Sequence, residues 1–216
     1  MDKKLHKVIG IEHLTTHTFS IHIERNGLAF RAGQCVNIGL PNAGVNREYS
    51  SYSGEGDPEL RFLIRAVEGG QVSTRLSQLQ PGDFLEVDGP YGLFTISNPE
   101  DRTRQYVFVA TGTGIAPFHC FVKSYPWIAY KIIHGTALGD ECYNRGDYAE
   151  GRYVHCVSRE PAGDYHGRVT GYLREHPQPV DATYYLCGNR NMINDVYDIL
   201  RERGVSGSNI LTEVFF

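Results

Sequence analysis

The first hundred residues alternate apolar and polar positions in short runs. Phe19, Ile21 and Ile23 occupy every second position, and the Asn26-Gly27 dipeptide after them favours a tight turn because both residues accept positive φ. One helix-like segment runs from Val72 to about Leu79. Further strand-like runs extend over Cys35 to Leu40, Glu48 to Ser53, Glu59 to Val67 and Phe84 to Asp88. Short strands at this spacing predict a small antiparallel β-barrel.

The pattern changes after the polar stretch from Ser97 to Arg104. Tyr106 to Thr111 is a continuous apolar run, typical of a strand that is buried on both faces. Helices are predicted from the glycine turn after this run to about Lys123, and from Asn191 to Arg203. Further buried strands are predicted at Ala129 to His134, Tyr153 to Val157, Thr183 to Cys187 and Ile210 to Phe216. Alternating strands and helices predict a doubly wound parallel sheet, so we expect a barrel domain at 1–98 and an α/β domain at 99–216.

Composition narrows the function classes. Lys and Arg number 21 against 25 Asp and Glu, and the net charge of −4 gives no electrostatic reason to expect nucleic acid. The five cysteines are widely spaced without a Cys-x-x-Cys pair, which favours a reducing, cytoplasmic compartment. His13 and His17 have the spacing of helical metal ligands but fall in a strand-and-turn region, so we predict no metal. No apolar run approaches a membrane-spanning length.

Two segments of the first domain suggest ligand chemistry. In Arg47-Glu48-Tyr49-Ser50-Ser51-Tyr52-Ser53, strand alternation sends Arg47, Tyr49, Ser51 and Ser53 to one face and Ser50 and Tyr52 to the other. A cation, an aromatic ring and hydroxyls suit a ligand with phosphate and a flat ring, although a polar surface strand has the same pattern. Gly69-Gly70-Gln71-Val72-Ser73-Thr74-Arg75 is a glycine turn that opens a helix, which is either an anion site or an ordinary capped helix.

Two segments of the second domain follow predicted strands directly. Ala110-Thr111-Gly112-Thr113-Gly114-Ile115-Ala116-Pro117 stands at the carboxyl end of a strand, where open α/β sheets bind dinucleotides. Pro117 replaces the third glycine of the usual fingerprint and is tolerated in a first helical turn. Cys187-Gly188-Asn189-Arg190-Asn191-Met192 also stands between strand and helix, where Cys187 lies beside a reacting ring or is inert packing.

In this order, the four segments resemble the ferredoxin–NADP reductase family, specifically its compact bacterial members. The resemblance extends from Arg47 to the last residue and implies an FAD-binding barrel followed by an NADP(H)-binding α/β domain. It implies that Arg47 pairs with the FAD pyrophosphate, Tyr49 stacks on the isoalloxazine and Ser50 bonds near flavin N5. The other cofactor-binding residues that it implies are Ser53, Ile64, Arg65, Gly70, Val72, Ser73, Thr74, Thr111, Gly112, Thr113, Gly114, Pro117, Cys187, Gly188, Met192, Phe215 and Phe216.

The choice of nucleotide depends on the residues after the later strands. The 2′-phosphate of NADPH requires cations and hydroxyls where NADH sites use a carboxylate. No acidic residue directly follows the predicted strand that ends at His134, and the resemblance assigns the 2′-phosphate to Ser158, Arg159 and Arg168. Solvated surface charge is the alternative for these arginines. Ala137 stands where related enzymes often carry another arginine, so the preference for NADPH is expected to be weaker than usual.

The resemblance implies hydride transfer from NADPH to FAD and single-electron transfer to ferredoxin or flavodoxin. Its catalytic residues are Ser50, Cys187 and Glu213, and an aromatic ring at Phe215 or Phe216 covers the flavin. The alternatives are an NAD(P)H:flavin reductase, the reductase component of an oxygenase and a nonenzymatic nucleotide-binding module. We expect a monomer that binds neither nucleic acid nor membrane. A basic docking face, or else a solvated scatter of charge, is formed by Lys3, Lys4, Lys7, Arg61 and Arg75.

Overall fold

The structure is a computed structural model that describes residues 4–215, so Lys3 and Phe216 lie outside the described residues. The chain divides into two compact units. The first consists of Met1–Ile96 together with His119–Ser124, and the second of Ser97–Phe118 together with Tyr125–Phe216. Residues His119–Ser124 come from the later half of the chain but belong to the first unit. The sequence pattern does not predict this change of unit, because the six residues continue a helix that begins in the second unit.

In its described residues, the first unit contains six strands, the short helix α1 (Ser73–Leu76) and the last six residues of a later helix. The strands are β1 (Lys4–His13), β2 (Thr18–Glu24), β3 (Cys35–Gly39), β4 (Asn46–Ser50), β5 (Glu59–Arg65) and β6 (Phe84–Tyr91). The sheet order is β4-β3-β6-β1-β2-β5, and every neighbouring pair is antiparallel. This barrel-like sheet confirms the predicted antiparallel fold.

The residues beyond β4 link the two outer strands of this sheet. The amide of Tyr52 donates to the carbonyl oxygen of Arg61 in β5 at 2.8 Å, and the amide of Arg61 donates to Ser53 Oγ at 3.1 Å. The prediction of a strand through Ser53 is therefore wrong beyond Ser50. The chain leaves β3 there and bonds to β5, so the strict alternation predicted for Arg47 to Ser53 ends with the strand.

The core of the first unit follows the two-residue period of its strands. Alternate positions of β2 and β5 are almost fully buried, while most of the positions between them are more exposed. Each such apolar side chain contributes about 1.5–3 kcal/mol by leaving water. The most buried members of this core are Val8, Phe19, Ile21, Ile23, Ile38, Leu60, Phe62, Ile64, Val72, Leu76 and Leu85.

The strands described in the second unit are β7 (Gln105–Thr111), β8 (Ala129–Thr136), β9 (Tyr153–Val157), β10 (Tyr165–His166), β11 (Thr183–Gly188) and β12 (Ile210–Val214). They form one sheet in the order β10-β9-β8-β7-β11-β12, with every neighbouring pair parallel. The α-helices are α2 (Ala116–Ser124), α3 (Val169–Glu175) and α4 (Arg190–Glu202). The final six residues of α2 belong to the first unit.

Helices pack on both faces of this parallel sheet. On one face Phe118 of α2 stacks on Phe108 of β7, with ring centroids 4.9 Å apart. On the other face Val107 and Val109 pack in one core with residues of α3 and α4, among them Leu173 and Val196. The predicted doubly wound arrangement is confirmed, and it places the carboxyl ends of neighbouring strands at one edge. Within the described chain, no helix combines the length and the apolar character needed to span a bilayer.

Candidate functional site

Arg47 and Tyr49 lie on one face of β4, opposite Ile38 and Val36 of β3. Arg47 is exposed, and its Nη1 donates to the carbonyl oxygen of Asn46 at 2.7 Å. Tyr49 is half-buried against the core of the unit, and burial raises the pKa of its hydroxyl to about 12 although Arg47 acts to lower it. The phenol therefore stays neutral, and the strand presents a flat ring beside a cation.

The serines of the same segment differ in their surroundings. Ser50 lies on the opposite face of β4 from Tyr49 and is buried. Ser51 Oγ donates to the carbonyl oxygen of Ser53 at 3.0 Å, and Ser53 Oγ accepts the amide of Arg61. The Ser53 hydroxyl thus has a structural role in joining the segment to β5, and its assignment to cofactor binding stays a prediction.

Tyr52 contacts a residue that sequence reasoning missed. The imidazole of His119 stacks on the Tyr52 ring, and its Nδ1 lies 2.5 Å from the Tyr52 carbonyl oxygen. Both side chains are buried in the first unit. The two residues are 67 positions apart, so no local pattern in the sequence points to the pair.

The glycine turn before α1 is closed by hydroxyl groups. Ser73 Oγ accepts the Val67 amide at 3.1 Å, and Thr74 Oγ1 donates to the Val67 carbonyl oxygen at 2.9 Å. Gly69 has a φ of +71°, which an L side chain rarely adopts. The helix expected to reach Leu79 is only four residues long. The Thr74 hydroxyl proton is thus occupied by the turn, whereas Ser73 only accepts there and keeps its proton, so an anion at this place would depend on that proton and on backbone amides.

Three further predicted residues flank this turn. Ile64 and Val72 are almost fully buried in the core, so their side chains hold the turn in place rather than facing a ligand. Arg65 ends β5 with an exposed side chain. Arg65 is thus an exposed cation that stands five residues before Gly70 in the sequence.

Residues Gly112–Ile115 form a 3-10 turn between β7 and α2. A Cβ on Gly114 would lie 2.5 Å from the Cys187 carbonyl oxygen, so only glycine allows this approach. Thr111 Oγ1 accepts the Asn189 amide at 3.0 Å, which joins the ends of β7 and β11. The two glycine segments identified in the second domain thus meet at the carboxyl edge of the sheet.

The end of β12 completes this edge. Cys187 pairs with Glu213 and Gly188 with Val214 in the register of β11 and β12, and the Phe215 amide donates to the Gly188 carbonyl oxygen at 2.9 Å. Cys187 is fully buried, and burial, followed by the charge of Glu213, raises the pKa of its thiol well above the usual value. A thiol in this state is neutral, and its catalytic assignment stays a prediction.

Asn189 caps α4 at the same edge. Its Oδ1 accepts the amide of Asn191 at 2.9 Å and that of Met192 at 3.4 Å. Capping satisfies amides that the first helical turn would otherwise leave without partners. Met192 is buried in the core of the second unit, and Pro117 is buried in the first turn of α2.

The residues predicted to contact a 2′-phosphate lie at the ends of the next strands. Ser158 Oγ donates to the Thr136 carbonyl oxygen at 3.0 Å, and the Arg159 amide donates to the Ala137 carbonyl oxygen at 3.0 Å. Arg168 directly precedes α3, and the side chains of Arg159 and Arg168 are exposed. The structure thus places two exposed arginines after β9 and β10.

Two carboxylates support the loop after β8. Glu141 Oε2 accepts the amides of Ala137 and Leu138 at 2.9 and 3.0 Å, and the Glu160 carboxylate accepts the amide of Gly139. Neither carboxylate was identified from the sequence. Among residues 4–215, no group of three or more His, Cys, Asp or Glu is placed to hold a metal ion.

A buried histidine, also missed from the sequence, contacts the glycine turn directly. His134 Nε2 lies 2.8 Å from the carbonyl oxygen of Gly112, and Nδ1 lies 2.8 Å from the hydroxyl of Tyr153. His134 is fully buried at the end of β8. The apolar run from Ala129 to His134 predicts its strand but gives no sign of these contacts.

Comparison with known proteins agrees with this architecture. Residues 4–96 match the family of oxidoreductase FAD-binding domains. Ferredoxin–NADP reductase B of Sorangium cellulosum is 35% identical over an alignment that covers 96% of this chain and 95% of that protein. The toluate 1,2-dioxygenase electron transfer component of Pseudomonas putida is 29% identical over an alignment that covers 96% of this chain. This chain spans only 66% of the length of that protein. A ferredoxin NADP+ reductase of Neisseria gonorrhoeae, solved with FAD and NADP, shares the fold with a TM-score of 0.90, full coverage of both chains and 21% identity.

Proposed function

The chain belongs to the ferredoxin–NADP reductase family, and on this premise we propose that it is an FAD-dependent oxidoreductase that takes hydride from NADPH and passes single electrons to a small carrier protein. Residues 1–98 form the FAD-binding domain and residues 99–216 the NADP(H)-binding domain. The chain acts as a monomer in the cytoplasm, and none of its five cysteines, all within the described residues, forms a disulfide, which suits that reducing compartment.

One observation carries the proposal. The glycine turn after β7 and the Cys187-Gly188 pair at the end of β11 meet so closely that Gly114 tolerates no side chain. Open α/β sheets bind dinucleotides at such a carboxyl edge, where glycines permit close backbone approach. The sequence that precedes this edge matches FAD-binding domains of oxidoreductases. A flavin domain followed by a dinucleotide edge supports exchange of hydride between the two cofactors.

The residues of the first unit fit a flavin dinucleotide. Arg47 supplies a cation for the pyrophosphate, and the neutral ring of Tyr49 supplies a flat surface for the isoalloxazine. Because the Thr74 hydroxyl donates to Val67 while the Ser73 hydroxyl only accepts there, the amides of the Val72 helix start and the Ser73 proton are the donors available to the pyrophosphate. FAD, when bound, supplies the capacity to accept a hydride and to release electrons one at a time.

The second unit supplies the remaining roles. Gly112, Thr113, Gly114 and Pro117 shape the nucleotide edge, while Arg159 and Arg168 bind the 2′-phosphate with Ser158. Ser50 donates a hydrogen bond to the flavin, and Cys187 and Glu213 act beside the nicotinamide and in proton movement. The paired register of Cys187 and Glu213 supports a shared role for these two residues.

The carrier is a ferredoxin or a flavodoxin. A second candidate partner is an oxygenase component, because a similar protein is the electron transfer component of toluate 1,2-dioxygenase. In that arrangement an iron–sulfur protein on another chain connects the flavin to the oxygenase. A carrier protein is required in both cases, which separates both candidates from an NAD(P)H:flavin reductase.

The test is reduction of an artificial one-electron acceptor with NADPH or NADH, using protein that has passed through gel filtration. Retained FAD and faster turnover with NADPH are expected. Loss of all flavin on the column, with activity restored only by free flavin as substrate, would overturn the proposal in favour of a flavin reductase. Absence of turnover with both nucleotides in FAD-loaded protein would overturn it in favour of a nonenzymatic module.

A further inference from the structure

The carboxyl end of β8 contains a buried group that the proposed function does not use. His134 is fully buried, and its ring lies among Tyr143, Tyr153 and His155, with centroids 5.8–6.0 Å apart. His155 contacts Thr136 Oγ1 through Nε2 at 2.7 Å, so it does not compete for the glycine turn. His134 is therefore the member of this cluster that bonds to the turn after β7.

The direction of each hydrogen bond follows from the chemistry of the partners. A carbonyl oxygen can only accept, so the contact of Nε2 with the Gly112 carbonyl puts the proton on Nε2. A neutral ring then accepts at Nδ1, and the donor is the Tyr153 hydroxyl. The Tyr153 oxygen in turn accepts the thiol of Cys142 at 3.6 Å. The hydrogen bonds that lead from Cys142 through Tyr153 and His134 to Gly112 therefore all donate in one direction.

This series of hydrogen bonds determines where the N–H of Thr113 points. A trans peptide is planar, with its N–H opposite to its C=O. Because the Gly112 carbonyl is directed at the buried imidazole, the Thr113 N–H is directed away from it. Gly112 has a φ of +52°, a conformation that glycine adopts without strain. The turn thus depends on a glycine for its shape and on an imidazole for its orientation.

We propose that His134 is a positioning residue for the nicotinamide nucleotide, which acts by holding the Gly112–Thr113 peptide with its amide toward the bound phosphates. The inference rests on the proposed function, since it assumes that the glycine turn binds the nucleotide. His134 does not touch the nucleotide in this role. Its contribution is preorganisation of a backbone donor, which strengthens binding without a new contact to the ligand.

The neutral ring suits this role. Burial lowers the pKa of His134 to about 3, with the charge of His155 acting in the same direction and the bond to Gly112 opposing it. The ring thus keeps one donor nitrogen and one acceptor nitrogen at neutral pH. A charged ring would carry donors on both nitrogens and would lose the bond in which Nδ1 accepts.

The test compares H134Q and H134L in the full chain purified with FAD. Glutamine retains an N–H that can reach the Gly112 carbonyl, whereas leucine fills similar volume with no donor. We expect H134L to weaken NADP+ binding by roughly tenfold in calorimetric titration, the scale of one lost buried hydrogen bond, and H134Q to stay within about threefold of wild type. The KM for NADPH should rise in H134L, with kcat within about twofold.

A matched tyrosine pair gives a second measurement. Tyr153 and Tyr184 are both buried in the parallel sheet, but the Tyr184 hydroxyl donates to the Pro179 carbonyl oxygen at 2.8 Å, away from the turn. Y153F removes the donor to His134 and should weaken NADP+ binding by roughly threefold, whereas Y184F should leave it unchanged. This comparison decides the question even if H134L does not fold.

The possible results distinguish failure of the role proposed for His134 from failure of the proposed function. Equal NADP+ affinity in wild type and H134L, or in Y153F and Y184F, would overturn the role of His134 while the proposed function stands. An H134Q variant as weak as H134L would also overturn it, because the donor would then not be the reason. Wild-type protein that binds neither NADP+ nor NAD+ would overturn the proposed function and this inference with it.

Discussion

The His119 imidazole stacks on the ring of Tyr52 with centroids 3.8 Å apart and ring planes 14° apart. Its Nδ1 also contacts the Tyr52 carbonyl oxygen, while the Tyr52 amide donates to Arg61 of β5. Tyr52 is therefore held on both sides of its backbone and on its ring. This attachment fixes the segment that begins with Arg47 and Tyr49, the residues proposed to bind the flavin.

Replacement of His119 by alanine should destabilise the first unit by about 2–3 kcal/mol, because a buried carbonyl loses its donor and a ring loses its stacking partner. FAD should dissociate faster as the Arg47 to Ser53 segment loosens. Thermal melting and flavin retention on gel filtration measure the two effects. His176 stacks on Tyr172 in the same way at 4.3 Å but is exposed, so H176A is the control and should cost below about 1 kcal/mol. Equal losses in the two variants would contradict the proposed role of His119.

A G114A substitution should separate the ends of β7 and β11. The added Cβ would lie 2.5 Å from the Cys187 carbonyl oxygen and 2.8 Å from its carbonyl carbon, so backbone must move. We expect a stability loss of about 1–3 kcal/mol and a fall in NADP+ affinity of at least about tenfold. Gly146 has open space around it and no positive φ, so G146A should change neither quantity. NADP+ affinity preserved in G114A would show that the nucleotide does not use this edge.

The buried His134 should make the second unit less stable in acid. Its pKa in the folded chain, about 3, is below the ordinary 6.5, so between these values the unfolded chain binds a proton that the folded chain does not. Stability is therefore complete above about pH 6.5 and is lost as pH falls. Trp127, the one tryptophan, lies in the second unit and reports its unfolding in urea.

Comparison with H134Q isolates this residue, because the other acid-sensitive groups, such as His155, whose pKa is lowered chiefly by burial, are present in both proteins. Below pH 6, wild type should lose up to about 1.4 kcal/mol per pH unit more than H134Q. Parallel curves for the two proteins would mean that His134 is protonated in the folded chain.

Preference for NADPH should depend on the two exposed arginines. R159Q and R168Q should each raise the Kd for NADP+ by roughly tenfold, the scale of a lost charge-assisted hydrogen bond, and should leave the Kd for NAD+ within about twofold. Arg174 is exposed in the last turn of α3, and R174Q should alter neither constant. If both nucleotides weaken equally in R159Q and R168Q, the arginines support the fold rather than select the 2′-phosphate.

The sequence predicts strands correctly where one hydrophobic periodicity dominates a segment. The apolar run from Tyr153 to Val157 coincides with β9, and alternation in Phe19, Ile21 and Ile23 coincides with the buried face of β2. β1 was not predicted because Lys4, Lys7 and Glu12 interrupt its apolar positions, although His6 and Val8 are buried. β10 has two residues, too few for any period to appear.

The residues of the candidate site also differ in whether the sequence alone predicts them. Glycine segments such as Gly112 to Gly114 are visible because backbone shape demands glycine locally. The contacts of His134 with Gly112 and of His119 with Tyr52 connect residues 22 and 67 positions apart, and only the folded chain brings them together. The hydroxyls of Ser73 and Thr74 were expected to face a pyrophosphate, but their competing bonds to Val67 become apparent only in three dimensions.

An absorption spectrum of the purified chain, recorded without oxygen before and after NADPH is added, shows whether the protein holds a flavin that NADPH reduces. We expect a flavin spectrum in the protein as purified, and bleaching of that spectrum on addition of NADPH. A colourless preparation that added FAD cannot restore, or a bound flavin that stays oxidised in excess NADPH, would contradict it.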